Sequence, residues 1–444
     1  MKRLNKEQYA ASEGTGGITL VIAGAGTGKT TTMIEKTANC IEKGITTPGK
    51  ILIMTFSKKA AGEIRERVER KSSSLKGIGF AGTFHSFSLN LLKHYSHEYM
   101  AMRGSSAFPA IIDDGLKSEL MRKTVMADLS RFLGMPCDAV LGISENIDRL
   151  DPYMERKLKR SDLYSEIIKV PREYQNYKLK ENLIDYEDMI NDASLLLEKN
   201  ESVKKDIHDR FNYIFVDEFQ DSSENNMRLL RLLLPDKNAN LYMVGDDYQS
   251  IYKFRRAEVQ YIINVRNYFP GADIHKLTVN YRSRKEIVLL SNRFIRLNRF
   301  RTDKKIKSFR GSGGRVRFHS AGNAHDECGI IRNILISRDS TGETAILFRN
   351  NYQGEIIQKQ LGGEFNDDVE LMTMHGSKGL EFNIVIIAGI ADRIIPDRAS
   401  DIEEERRLFY VAMTRAKDEL HIIYYRDSRG RLPQFVRELG VTEE

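Results

Sequence analysis

Short runs of consecutive apolar residues alternate along this chain with stretches in which apolar side chains recur every three or four positions. Ile18–Ile22 is such a run. A glycine-rich turn follows, and Met33, Ile34, Ala38 and Ile41 then fall on one helical face, with Gly44 as its stop. Ile51–Phe56 predicts a second strand and Lys58–Val68 a second helix. Strands that alternate with helices predict an α/β layer around a parallel sheet. From about Ser88 to Lys204 the pattern becomes helical (Leu116 and Leu120; Leu163, Ile167 and Val170) and strand signals thin out. They resume at Tyr213–Val216 and Leu241–Val244. A second α/β unit is expected from near Lys276, with strands at Ile274–Val279, Val316–His319, Ala345–Phe348, Ile384–Ala388 and Leu420–Tyr424. The organisation expected is therefore one α/β domain from 1–88 and 205–275, a helical insertion at 89–204, and a second α/β domain at 276–444.

Composition narrows the picture. The chain has 444 residues, enough for two or three domains, and 41% are apolar, enough for real cores. No run approaches the roughly 18 apolar residues of a membrane span, so no membrane association is expected. The start, MKRLNKEQYAAS, lacks the apolar centre of a secretion signal. Cys40, Cys137 and Cys328 lie far apart and form no CxxC pair, which suits a reducing cytoplasm. Net charge is +7, a mild excess that suits a polyanion partner. The excess is local. Residues 276–320 carry 14 basic and 2 acidic side chains, whereas 89–204 carry 17 and 20. The first imbalance reads as a phosphate-contacting surface; the plainer alternative is a solvated face.

Two stretches carry recognisable chemistry. Ala23-Gly24-Ala25-Gly26-Thr27-Gly28-Lys29-Thr30, with Thr31 after it, lies between a strand and a helix. Glycines let the backbone turn its N–H groups toward phosphate, and the helix start adds a favourable dipole. Lys29 would reach the β- and γ-phosphates of a nucleotide, and the Thr30 hydroxyl would take Mg²⁺. The first position is Ala where the strict pattern has Gly, and only a small residue is needed there. Tyr213-Ile-Phe-Val-Asp-Glu-Phe-Gln-Asp221 is an apolar strand that ends in carboxylates, at the end of a parallel strand where ligands bind. Asp217 is placed to hold Mg²⁺ and Glu218 to orient and deprotonate an attacking water. A polar turn after a strand is the plain alternative, and the phosphate loop outweighs it.

These stretches occur with others in an order that resembles the superfamily 1 helicases of the UvrD/Rep/PcrA type, over nearly the whole chain. Asn5-Lys-Glu-Gln8 resembles their glutamine motif. ILIMTFSKKAAGEI (51–64), GTFHSF (82–87), VDEFQD (216–221), VGDDYQSIYKFRRA (244–257), LTVNYRS (277–283), AILFRNN (345–351), LMTMHGSKGLEF (371–382) and EERRLFYVAMTRAK (404–417) follow in order. The resemblance implies two RecA-like domains with ATP between them, hydrolysed with Mg²⁺ to drive steps along single-stranded DNA. It assigns Gln8 to the adenine edge, Tyr281 to stacking on the base and Glu381 to the ribose hydroxyl. Gln249 becomes a γ-phosphate sensor, and Arg282 and Arg415 become arginine fingers from the second domain. The direction it implies is 3′→5′, and the partners are single-stranded DNA and its junctions with duplex. One motor, or several on one strand, would then act.

In the same motifs, Phe84, Tyr252 and Phe254 are the aromatic candidates for stacking on DNA bases. Thr55, Lys59, His85, Arg255, Arg256, His375 and Lys378 are the candidates for other DNA contacts. Phe254 stands where relatives usually carry Trp. Larger members carry a second helical insertion, the 2B subdomain, between the AILFRNN-like and MHGSKGLEF-like motifs. Here only residues 352–370 separate them, too few for a subdomain. The expectation is a compact helicase without 2B and without a nuclease domain. Two alternatives stay open: a translocase that mainly displaces bound proteins and unwinds weakly, and a DNA-binding recruitment module whose ATPase is vestigial.

Overall fold

The computed structural model describes residues 4–14, 16–71, 76–113, 115, 119, 172, 174–235, 239–338, 342–364, 368–397 and 400–442. Its strands, in chain order, begin with β1 (Ile18–Ala23), β2 (Ile51–Thr55), β3 (Phe80–Thr83), β4 (Ala110–Ile111) and β5 (Leu183–Ile184). Next come β6 (Tyr213–Val216), β7 (Leu241–Gly245), β8 (Asp273–Leu277), β9 (Val279–Asn280) and β10 (Lys307–Ser308). The last are β11 (Arg315–Ala321), β12 (Thr344–Phe348), β13 (Val369–Thr373), β14 (Phe382–Ile390) and β15 (Ala416–Tyr425). Two parallel sheets dominate, ordered β3-β2-β6-β7-β1-β8 and β11-β15-β14-β12-β13. The expected α/β class with two RecA-like sheets is what the chain adopts.

The first sheet is covered on both faces. Val21, Ala23, Ile51, Ile53, Tyr213, Phe215, Tyr242 and Val244 alternate onto one face, where Met33, Ile34 and Ala38 of the helix Lys29–Glu42 and Ile64 and Val68 of the helix Lys58–Lys71 meet them. The intervening Leu20, Ile22, Leu52, Met54, Ile214, Val216, Leu241 and Met243 are equally buried. That is why these strands read as unbroken apolar runs rather than alternating ones. The second sheet repeats the plan. Ala345, Leu347, Val385, Ile387, Leu420 and Ile422 pack with Leu408, Phe409 and Val411 of the helix Ile402–Met413, while Ile346, Ile384, Ile386 and Ile423 pack with Ile331, Ile334 and Ile357.

One strand joins the other sheet. Ile274–Val279 is expected in the second α/β unit, but Asp273–Leu277 pairs in parallel with β1, Ile22 opposite Lys276. Only one residue separates β8 from β9, which pairs with β10 instead. Local pattern marks a strand but does not say which neighbour completes its hydrogen bonds. Strands β3, β4, β5, β10 and β13 are additional to those expected.

Two compact units divide the chain. One holds 1–83, 210–227 and 234–444 and carries both large sheets; the other holds 84–209 and 228–233. The second unit therefore starts before residue 89 and takes in a piece beyond 204. Within it, Arg228 Nε donates to Glu198 Oε1 at 2.8 Å, and a ring nitrogen of His208 lies 2.9 Å from the Leu232 carbonyl. Helices Phe84–His94 and Tyr186–Lys199 pack together there, and β4 pairs with β5. Leu116, Leu120, Leu163, Ile167 and Val170, which carried the helical reading, lie outside the described residues, as does Cys137.

Candidate nucleotide site and nucleic-acid face

The phosphate loop runs from the end of β1 to the helix Lys29–Glu42. Its carbonyls are occupied, three from outside the loop and one from within it. Asn280 Nδ2 donates to Ala25 O at 2.8 Å, Tyr281 N to Gly26 O at 2.8 Å, Gln8 Nε2 to Thr27 O at 3.0 Å, and Thr27 Oγ1 to Gly24 O at 2.8 Å. What the loop offers an anion is therefore its N–H groups. Gly26 and Gly28 have positive φ, +66° and +85°. A Cβ on Gly26 would lie 2.7 Å from Arg282 Cβ, and one on Gly28 would lie 2.6 Å from Gln8 Nε2. Conformation and crowding both demand glycine here.

Lys29 Nζ lies 3.3 Å from Glu218 Oε2. Asp217 and Glu218 follow β6, and Glu218 takes a left-handed backbone, φ +51°. Burial, then the neighbouring Glu218, push Asp217 up to about 7. Burial opposes charge on Glu218 too, but Lys29, Lys378 and a hydrogen bond from Gln220 outweigh it and hold Glu218 low, near 2. Asp221, buried beside Lys378, is pushed up to about 6 by its burial. These are the electrostatics of a site short of positive charge at Asp217, and Asp221 Oδ1 is buried without a hydrogen-bond partner. Thr30 and Asp217 offer hard oxygen donors and fit Mg²⁺. Among the described residues no three His, Cys, Asp or Glu side chains converge on a metal, so phosphate and water would complete its shell.

From the second sheet's side, Arg415 follows the helix Ile402–Met413 and is 1% exposed. Its Nη2 donates to Gln249 Oε1 at 3.2 Å, its Nη1 to Leu380 O at 3.1 Å and its Nε to Val411 O at 2.9 Å. Burial, then repulsion from Arg282, lower its pKa to about 9. Gln249 also donates to Asp246. Arg282 stands across the loop from Gly26; its Nε donates to Glu381 Oε2 at 2.7 Å and its Nη1 to Thr414 O at 3.2 Å. The other Glu381 oxygen is 3.2 Å from Lys417 Nζ, so Glu381, expected on a ribose hydroxyl, is paired with two cations. Tyr281 is exposed, its hydroxyl accepts from Asn5 Nδ2 at 2.8 Å, and its ring lies 4.9 Å from that of Phe309. Asn5 in turn caps the first helix and receives Gln8 N, which brings Gln8, Tyr281 and the loop together. Thr31 is exposed one position into the helix from Thr30.

The expected DNA contacts sort less evenly. Phe254 is 60% exposed and its ring lies 5.8 Å from both Tyr252 and His375, two half-buried neighbours. A cavity of about 340 Å³ opens beside it, lined also by Arg349, Glu404 and Glu405. Arg256 is half-buried and takes a left-handed backbone, φ +62°, and His85 is exposed. The side chains of Lys59 and Arg255 lie outside the described residues.

Three expected contacts are corrected. Phe84 is 2% exposed, and a ring without an exposed face cannot stack on a base. Thr55 is 1% exposed and its hydroxyl donates to Ser57 O at 2.8 Å. Lys378 pairs with Asp221, donates to Gln249 O at 3.0 Å and stands 4.5 Å above the Tyr252 ring, so its charge serves the carboxylate site. The basic run is corrected in part: Arg284 and Arg310 both pair with Asp418, Arg315 with Glu419, and Lys304 with Asp246 and Asp247. Carboxylates distant in sequence neutralise this part of it.

Asn280, Gln220, Asp246 and Lys304 belong to the site although sequence reading did not single them out. An acidic pair after an apolar strand was a usable signal for Asp246 and Asp247, since VGDD repeats the pattern of VDE. Nothing local distinguishes Lys304 from the other cations of its run.

Two parallel sheets that share a phosphate loop, a carboxylate strand end and arginines from the far side define a P-loop nucleotide-handling protein, and this chain belongs to the UvrD/REP helicase family. Residues 4–270 match the UvrD/REP helicase N-terminal domain, and residues 275–364 and 360–427 match the UvrD-like helicase C-terminal domain. It is 30% identical to a probable DNA helicase of Mycoplasma pneumoniae, over 97% of this chain and 86% of that protein. It is 31% identical to the ATP-dependent DNA helicase Rep of Buchnera aphidicola and 29% to PcrA of Staphylococcus epidermidis, each over 81% of this chain. It spans 56% of that Rep and 49% of that PcrA, about half their length. Among the described residues no helix is long and apolar enough to cross a membrane.

Proposed function

We propose that this chain is an ATP-dependent DNA helicase and single-strand translocase that moves 3′→5′. The observation that carries this is the contact of Arg415 with Gln249, which joins the second sheet's helix to the turn after β7 beside Glu218. In this reading the units are a RecA-like domain 1A (1–88 and 205–275), a helical insertion 1B (89–204) and a RecA-like domain 2A (276–444). ATP lies in the loop 23–31 with its base against Gln8 and Tyr281. Glu218, kept ionised by Lys29 and Lys378, accepts the proton of the attacking water. Thr30 and Asp217 would hold Mg²⁺, which when bound would supply charge neutralisation on the phosphates. Arg282 and Arg415 stabilise charge on the transferring phosphoryl group and require both domains to be together. The nucleotide favours the closed arrangement because both domains grip it, and loss of the γ-phosphate releases that grip.

Single-stranded DNA, with its duplex junctions, is the partner, on the face of Phe254, Tyr252 and His375. The short connection 352–370 favours a second reading, in which the motor displaces bound proteins and unwinds weakly. ATPase assays with single-stranded DNA or RNA, and unwinding of duplexes with defined 3′ or 5′ tails, test these readings. No nucleic-acid-stimulated hydrolysis, or normal turnover in Lys29→Ala, would sink the ATPase assignment. Stimulation by RNA alone overturns the DNA assignment. Unwinding only from 5′ tails overturns the direction, and streptavidin displacement without unwinding selects the second reading.

A further inference from the structure

Lys304 lies in none of the family-like motifs and in no strand or helix. Its side chain is nonetheless wholly buried, with Nζ 2.6 Å from Asp246 Oδ1 and 2.5 Å from Asp247 Oδ1, and 3.9 Å from the centroid of the Tyr248 ring. Removing three charged groups from water costs several kcal/mol per ion unless the geometry repays it. Such a cluster is weak as a stability device and stronger as a device that fixes geometry.

What it fixes is visible in the bonds of Asp246. The second oxygen of Asp246 accepts from Gln249 Nε2, and Gln249 Oε1 accepts from Arg415. The Asp246 N–H donates to Gln220 Oε1 at 2.8 Å, and Gln220 Nε2 donates to Glu218 Oε2 at 2.5 Å. Asp246 thus holds both amides, Gln249 through the carboxylate that the Lys304 ammonium fixes and Gln220, which donates to Glu218, through its backbone N–H. The segment that carries Lys304 is tied at its other end to the helix that precedes Arg415. Arg299 N donates to Glu403 Oε1 at 2.7 Å, Asn298 Nδ2 to Glu403 O at 2.8 Å, and Arg407 Nη2 to Phe300 O at 2.7 Å. Between the two ends, Thr302 donates through N and Oγ1 to Asp247, each at 2.7 Å, and its carbonyl accepts from Tyr248 at 2.9 Å.

We propose that Lys304 is a positioning residue for ATP hydrolysis, the fixed end of a strap (298–304) that sets Asp246 and, through it, the orientation of Gln249 toward Arg415. This rests on the ATPase reading above. Gln249 and Arg415 then stay in register at this end of the domain junction.

The test is steady-state ATP turnover with saturating single-stranded DNA. Lys304→Met alone leaves two buried carboxylates uncompensated and risks the fold. Lys304→Met/Asp247→Asn removes one charge of each sign, keeps the net buried charge, and is compared with Asp247→Asn. The double variant is expected to lower kcat at least ~30-fold against that reference, with KM for ATP within about twofold, as for an interaction that acts in the transition state. With Gln249→Ala added to both, the difference should vanish, because Lys304 acts through Gln249. Unchanged kcat in the double variant, or a loss equally large without Gln249, overturns the proposal and leaves Lys304 a packing residue. Absence of turnover in the wild-type chain would overturn the ATPase reading and this proposal together; wild-type turnover with an unaffected double variant overturns only the latter.

Discussion

Arg415 is 1% exposed, yet its guanidinium reaches 3.2 Å from Gln249 Oε1, on a turn that belongs to the other sheet. A buried cation held by carbonyls and one amide loses little in reorganisation when charge develops near it. Arg415→Ala is therefore expected to lower DNA-stimulated kcat by at least ~1000-fold, the low end for an arginine finger, with a much smaller change in nucleotide affinity. Turnover and equilibrium binding of a fluorescent ATP analogue check this. A proportional loss of binding would instead make Arg415 a general anchor.

Phe254 and Phe84 separate by exposure, 60% against 2%. Phe254→Ala is expected to weaken single-stranded DNA binding by about 1–3 kcal/mol, as for one stacked base, with an unchanged thermal midpoint. Phe84→Ala should cost about 3–5 kcal/mol of stability, as for a buried aromatic. Fluorescence anisotropy with a short oligonucleotide, beside thermal unfolding, distinguishes them.

Lys378 sits against Asp221 and helps to keep Glu218 ionised. Its removal raises the carboxylate pKa values. In Lys378→Met the acidic limb of the kcat profile should therefore move to higher pH, since the ionised base is lost sooner as pH falls. DNA affinity should change little. A large loss of DNA binding with an unmoved limb would return Lys378 to the nucleic-acid face.

Gly28→Ala places a methyl group against Gln8 Nε2 in a backbone of φ +85°. Strain of roughly 1–3 kcal/mol is expected, together with a marked rise in KM for ATP, because the loop and the base-edge residue are disturbed at once. KM measurement checks it, and an unaffected KM would show that the loop relaxes.

His421 stacks on His319, with ring nitrogens 3.1 Å apart on neighbouring strands β15 and β11. Burial, then His319, lower His421 to about 4, while Glu419 and Arg317 act on it with opposite signs. Its folded pKa lies below the unfolded value of about 6.5, so the unfolded chain binds more protons between them. This part of stability is complete above about pH 6.5 and is lost as pH falls toward 4, by on the order of 2–3 kcal/mol. Thermal midpoints across that range should fall, and His421→Phe should flatten the fall.

The order of strands and helices could be read from the chain because each element's cause is local. Unbroken apolar runs mark strands buried on both faces, and apolar spacing in Lys29–Glu42 marks a helix with one buried side. The phosphate loop and the Asp217–Glu218 strand end were legible for the same reason: glycines, lysine and carboxylates act from contiguous sequence.

Pairing between distant segments could not be read in this way. Asp273–Leu277 is a strand by its own pattern, but the exposed edge of β1 decides that it joins the first sheet. Lys378 and Lys304 look like phosphate-seeking cations until Asp221, Asp246 and Asp247 arrive beside them from elsewhere in the chain. Phe84 looks like a stacking ring until its surroundings bury it. Residue type and spacing determine which chemistry is possible, whereas burial and charge pairing depend on contacts across long sequence separations, and only the tertiary structure decides those.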